Sequence, residues 1–132
     1  MQTKTLNQRY FFKATPDEVY HLIMDEKKHT AFTGAEAKIE NRVGGKFTAW
    51  DHYIQGENLE LEEGQKIVQK WRAEEDGWPD DYFSEVTFIF KEKDDGCELI
   101  FTQTDIPEEA FKNIEQGWID YYWKPIEDYL EI

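Results

Sequence analysis

A chain of 132 residues, 39% hydrophobic and 16% aromatic, is long enough for a real core and is expected to form a single domain over residues 1–132. Its 15 Lys plus Arg stand against 29 Asp plus Glu, a formal charge of −14. A field of that sign repels phosphate backbones, and with Lys27-Lys28 as the only adjacent basic pair it argues against nucleic acid as a partner.

The segment Leu6 to Lys13 alternates as an opening strand. Thr15-Pro16-Asp17-Glu18 then reads as a helix start, with Thr15 as N-cap, Pro16 at the first helical position and Glu18 completing a capping box. Val19, Leu22 and Ile23 give this short helix its apolar side, and a second helix or turn over Asp25 to Phe32 ends at Thr33-Gly34. From Ala35 the period changes to two. Ala35–Ile39, Phe47–Ala49, the stretch from Ile54 to Leu61, Ile67–Trp71, Val86–Phe90 and Cys97–Gln103 read as successive strands. Gly44-Gly45 and Asp95-Gly96 supply hairpin turns. Between Gly56 and Leu61 the apolar side slips by one residue, which predicts a β-bulge near Glu57-Asn58 with Leu59 turned inward.

The closing stretch, Pro107 to Ile132, holds Phe111, Trp118, Tyr121, Tyr122, Trp123 and Tyr129. Their steps of three and four predict one helix of roughly 36 Å. Gly117 is expected where its backbone lies close to a neighbouring element, and Pro125 is expected to kink the last turns and free the carbonyl of Tyr121. A twisted run of antiparallel strands curves, and one long helix fills its concave face. The predicted architecture is therefore α+β, a curved antiparallel sheet of about six or seven strands wrapped on a long C-terminal helix, with two short helices after strand 1.

No chemistry announces itself. The histidines are His21, His29 and His52, none at a metal-ligand spacing with another or with the lone Cys97, so no metal and no cofactor is expected. Cys97 alone cannot make an intramolecular disulfide and suits a reducing compartment. Ser84 is the only serine and lacks a nucleophile elbow, and Gly44-Gly45 lacks the spacing of a phosphate loop. No leader is visible and no apolar run approaches about 18 residues, so neither membrane insertion nor secretion is expected and the location is read as cytoplasmic. Glu57 to Glu85 concentrates ten acids against Lys66, Lys70 and Arg72. That region is either a solvated, self-repelling surface or a docking face for a basic partner.

Phe32-Thr33-Gly34, Gly44-Gly45-Lys46-Phe47, Ile54 through Leu61 (IQGENLEL), Ile67 through Arg72 (IVQKWR), Gly117-Trp118 and Tyr121 through Pro125 (YYWKP), in this order, resemble the C-terminal domain of the activator of the 90-kDa heat-shock protein ATPase. That family belongs to the START-like, SRPBCC, helix-grip superfamily. The resemblance implies a non-enzymatic binding domain working through a chaperone protein or a small apolar ligand held between sheet and helix, with a role in the stress response. It also implies that the separate N-terminal domain of the full-length eukaryotic co-chaperones, which anchors them to the chaperone's middle segment, is missing from this sequence. Superfamily relatives that catalyse cyclisations or dehydrations in the same cavity supply the alternative, a small cavity enzyme. Its candidates here would be Asp51-His52, or Tyr122 with Gln103.

The candidate ligand-binding residues are Phe47, Trp71, Phe88, Phe101, Trp118, Tyr121 and Tyr122 as an aromatic lining, with the inward amides Asn58, Gln69 and Gln103. Buried amides need partners. The expected partners are one another, a freed carbonyl such as that of Tyr121, trapped water, or a ligand in a cavity. Trp50, Trp78 and Trp123 fall out of phase with the core rows, Trp78 being either an exposed anchor or a lid on the sheet edge.

Overall fold

A computed structural model describes residues 1–131, so the final residue of the expected C-terminal helix, Ile132, lies outside the described residues. The elements are β1 (Thr3–Phe12), α1 (Pro16–Met24), α2 (Glu26–Thr33), β2 (Lys38–Ile39), β3 (Lys46–Ala49), β4 (Ile54–Glu62), β5 (Lys66–Ala73), β6 (Ser84–Lys93) and β7 (Gly96–Pro107). A helical run follows, in which a single 3-10 turn (Glu108–Ala110) leads into α3 (Phe111–Trp118), a π-helical segment (Ile119–Trp123) and α4 (Lys124–Leu130). The strands form one seven-stranded antiparallel sheet in the order β1-β7-β6-β5-β4-β3-β2. This is the expected helix-grip architecture.

Local chemistry sets the boundaries. Thr15 accepts from the Glu18 amide at 3.1 Å while the Glu18 side chain returns to the Thr15 amide, closing the capping box that starts α1. Asp25 caps α2 and Gly34, at φ 78°, ends it in the left-handed conformation. The second strand is shorter than expected, Lys38–Ile39 instead of Ala35–Ile39. Thr33 Oγ1 and Thr30 Oγ1 hold the Ala35 and Ala37 amides, and these bonds compete with strand pairing there.

The bulge in β4 falls between Asn58 and Glu60, so the extra residue is Leu59, and it is 41% exposed rather than inward. Bulging at Leu59 keeps Asn58 pointing into the core, where its amide nitrogen donates to the carbonyls of Glu40 (2.9 Å) and Arg42 (3.2 Å). In the β6–β7 hairpin the positive-φ residues are Asp94 and Asp95, one earlier than expected. Gly96 is needed for close approach instead, because a Cβ there would lie 2.5 Å from the Phe12 carbonyl oxygen.

The C-terminal helix departs most from expectation. Instead of a simple kink at Pro125 it widens into a π segment, with the Lys124 amide reaching back to the Ile119 carbonyl. Pro125 has no amide to continue the α ladder, and the π turn absorbs that loss just before it. The extra residue re-phases the helix: Trp118, Tyr122 and Trp123 are all buried, while Tyr121 is 56% exposed. Trp123 is thus core rather than out of phase, and its indole N–H donates to Gln8 Oε1 of β1 at 2.7 Å. Trp78 is also buried, its ring edge-on to Trp71 at 5.7 Å and its N–H on the Tyr82 carbonyl, so the loop before β6 packs as a lid, though on the central strand β5 rather than on the sheet edge.

Candidate functional site

Behind the C-terminal helix the interior is closed by its own hydrogen bonds. The Trp118 indole N–H donates to Gln103 Oε1 (2.8 Å), Gln103 Nε2 donates to Ser84 Oγ (2.8 Å), and the Ser84 hydroxyl donates to the Trp71 carbonyl (3.1 Å). A second chain runs from Gln69 Nε2 to Asn58 Oδ1 (3.0 Å) and from Asn58 to the β2–β3 loop. Asn58 and Gln69 therefore partner one another and backbone, while Gln103 is satisfied by the Trp118 indole and the Ser84 hydroxyl. Around them Phe101 lies 4.4 Å from Trp118 and 5.1 Å from Phe88 between ring centroids, spacings of tightly packed aromatics.

A surface cleft of about 620 Å³ opens beside this closed interior. Its floor is Trp71 from β5 with Trp118 and Tyr122 from the helical run, and Ile54 and Ile114 extend it. One wall is the turn between β3 and β4, carrying Trp50 and Tyr53. Glu75, from the loop after β5, closes another side. Asn113, Gln116, Gly117, Asp120 and Tyr121 of the C-terminal run form the rim. Of the residues singled out from sequence, the cleft brings together Trp71, Trp118, Tyr121 and Tyr122. Phe47, Asn58, Gln69, Phe88, Phe101 and Gln103 lie in the packed interior and do not reach it.

Gly117 differs from expectation as well. A Cβ built there meets only a Tyr121 ring carbon, at 3.8 Å, so no element presses on it; its missing side chain leaves space at the cleft. The β3–β4 turn is unusual too, because Trp50, Asp51 and His52 hold φ values of 51°, 55° and 74°, a left-handed run of three non-glycine residues.

Polar groups at the cleft are mutually engaged. Glu75 accepts from the Tyr53 hydroxyl and from Asn113 Nδ2 (3.0 Å), while Asp120 accepts from Gln116 Nε2 (3.0 Å) and lies 3.6 Å from Lys124 Nζ. Below the floor the Tyr122 hydroxyl meets His29 Nε2 at 2.9 Å, and His29 Nδ1 lies 2.9 Å from the Ile23 carbonyl. A carbonyl only accepts, so Nδ1 carries the proton and Nε2 receives the tyrosine O–H. Burial holds His29 below its ordinary value, with the Ile23 carbonyl opposing, and burial pushes Tyr122 up. The buried Trp50 indole N–H bears on the same tyrosine oxygen and tempers that rise, yet makes no hydrogen bond of acceptable geometry.

Neither pair of enzyme candidates forms a unit. His52 faces Glu36 at 3.7 Å and Asp51 accepts from the Glu36 amide, while Tyr122 and Gln103 belong to separate networks. Asp17, His21 and Glu63 place ligand-capable atoms within 4.8 Å of one another, a grouping the sequence spacing did not signal because Glu63 comes from the β4–β5 turn; the cluster is largely exposed. Sequence reasoning also missed Tyr53, Glu75 and Asn113, which sit in turns or on an exposed helix face with no periodicity to mark them.

No helix among the described residues is long and apolar enough to cross a membrane. Residues 13–131 match the family described as "Activator of Hsp90 ATPase homolog 1-like protein". The activator of 90 kDa heat shock protein ATPase homolog of Dictyostelium discoideum is 39% identical over 119 residues, covering 88% of this chain and 30% of that protein. Human homolog 1 is 34% identical over 115 residues, covering 87% and 33%. The chain thus spans about a third of the length of these relatives. The crystal structure of an HSP90 activator from Plasmodium falciparum superposes with a TM-score of 0.89 at 25% identity, covering 96% of each chain. The chain belongs to the family of activator of Hsp90 ATPase homolog 1-like proteins.

Proposed function

We propose that this chain is a non-enzymatic binding domain that docks on a chaperone of the 90-kDa heat-shock class in the cytosol. The observation that carries this reading is the cleft: its floor is aromatic and its carboxylates are already held by neighbouring side chains, an arrangement for binding rather than for bond-making. The family and the similarity to the Plasmodium activator along nearly its whole chain support the choice of partner. With −14 net charge, docking is expected to weaken as salt rises. The test is retention of the purified chain on immobilised chaperone at low ionic strength, together with chaperone ATPase rates. Absence of both retention and any rate change would sink this reading.

The cleft volume, about 620 Å³, favours a second reading, a small apolar ligand, since such pockets span roughly 300–1,000 Å³. Trp71, Trp118, Tyr121 and Tyr122 would contact it. Phe47, Phe88, Phe101 and the amides Asn58, Gln69 and Gln103 would support the floor from behind. Exposure to a library of apolar compounds followed by native mass spectrometry checks this, and finding only bare protein counts against it.

A further inference from the structure

We propose that the cleft receives a basic side chain, lysine or arginine, on a short segment of the partner protein, with Glu75 as its counter-ion; this rests on the reading of the chain as a protein-docking domain. The two acids at the cleft differ in kind. Asp120 has Lys124 at 3.6 Å, whereas both oxygens of Glu75 are held by neutral donors, the Tyr53 hydroxyl and the Asn113 amide. Among the described residues no lysine, arginine or histidine nitrogen pairs with Glu75. Its charge is oriented and uncompensated, and it stands against a wall of rings.

Those rings are the second half of the argument. Trp71 and Trp118, 4% and 3% exposed, lie 5.4 Å apart at the base, while Tyr121 (56% exposed), edge-on to Trp50 at 5.3 Å, and Tyr53 (37%) carry the accessible ring surface. Ring faces carry negative potential and attract a guanidinium or ammonium group, while its aliphatic stem covers apolar surface. An anion would be repelled by Glu75. A neutral apolar molecule would use the rings but leave the Glu75 charge without a counter-ion, so a cation makes fuller use of the cleft.

Two further features point to a segment of chain. The space of about 620 Å³ is several times one side chain, so flanking residues fit beside the basic one. The rim also leaves Tyr121 56% and Tyr53 37% exposed, so a bound chain can continue across them onto the surface. The left-handed turn Trp50–His52 is the strained element that sets Trp50 and Tyr53 over the cleft, as strain often does at ligand clamps.

The test uses acetyl-Leu-Arg-Leu-amide and its citrulline counterpart, which is neutral but nearly isosteric, followed by tryptophan fluorescence and indole N–H shifts. The arginine peptide is expected to bind about tenfold more tightly than the citrulline peptide. In Glu75→Gln, whose one oxygen still accepts from Asn113 while its amide N–H can donate to the Tyr53 oxygen, that preference should fall below about threefold; in Glu85→Gln, an exposed acid of β6, it should persist. Equal affinity of the two peptides, binding of neither, or a preference undiminished in Glu75→Gln overturns the proposal. Chaperone retention separates it from the docking reading: retention of wild type and Glu75→Gln alike removes the cation site and leaves docking, whereas no retention of wild type removes docking itself.

Discussion

Trp118 has two sides, and they belong to two different kinds of region. Toward β6 and β7 it packs on Phe88 and Phe101 and gives its N–H to Gln103, whose own amide is consumed by Ser84. Toward α3 and the β3–β4 turn it floors an open cleft whose one uncompensated carboxylate is Glu75. Both regions combine large aromatics with a few polar groups. What separates them is charge: the hydrogen-bonded chain of the closed side is neutral, while Glu75 at the cleft is a carboxylate met only by neutral donors. A buried amide with satisfied partners specifies a core, while a charge held by neutral donors at a cleft mouth still has an opposite charge to find.

The most severe way to break the contrast is to remove the residue both regions share. Trp118→Ala is expected to cost about 3–5 kcal/mol in chemical denaturation, and to abolish peptide binding in whatever fraction stays folded. Gln103→Leu acts on the closed side alone: it orphans the Trp118 N–H and should cost about 2 kcal/mol, with the arginine-over-citrulline preference unchanged in the folded protein.

The pH response comes next and reports on the network beneath the floor. Burial keeps the folded His29 ring neutral below its ordinary value of 6.5, so the unfolded chain takes up a proton that the folded one resists. Stability from this group is complete above about pH 6.5 and declines as pH falls below it. Comparing unfolding free energies at several pH values, the difference between wild type and His29→Gln should show that decline; a flat difference would mean the ring is not held neutral.

The small effects sharpen the comparison from the open side. Gly117→Ala should raise stability by about 0.5–1 kcal/mol, because its Cβ meets only ordinary contact and alanine favours the helix. The same methyl group reduces the space at the cleft, so peptide affinity should fall while the melting temperature rises. Glu75→Gln should change stability least, within about 0.5 kcal/mol, so a loss of cation preference there reads out charge and not folding.

Much of the fold was legible. The Thr15–Glu18 capping box, the Gly34 stop, the strand meander and the inward row of Asn58, Gln69 and Gln103 all follow from residue type and period. Half of the site was not. Sequence period marked Trp71, Trp118, Tyr121 and Tyr122, but assigned Phe47, Phe88 and Phe101 to the same lining, because an aromatic that fills a core and one that lines a cleft have the same phase. It also set Trp123 outside, since a π segment adds one residue that no fixed period of 3.6 anticipates. Glu75, Tyr53 and Asn113 come together from two loops and a helix separated along the chain, and nothing local records their meeting.

By itself, the sequence determined the order of elements, the inward side of most strands, the strongly negative charge and the family resemblance, because periodicity, caps and charge are short-range properties written in neighbouring residues. The tertiary structure alone decided which inward amides were already satisfied, which tryptophans were buried and which carboxylate kept its charge unpaired. Those outcomes depend on partners brought from distant positions, and on a helix whose phase changes in its middle.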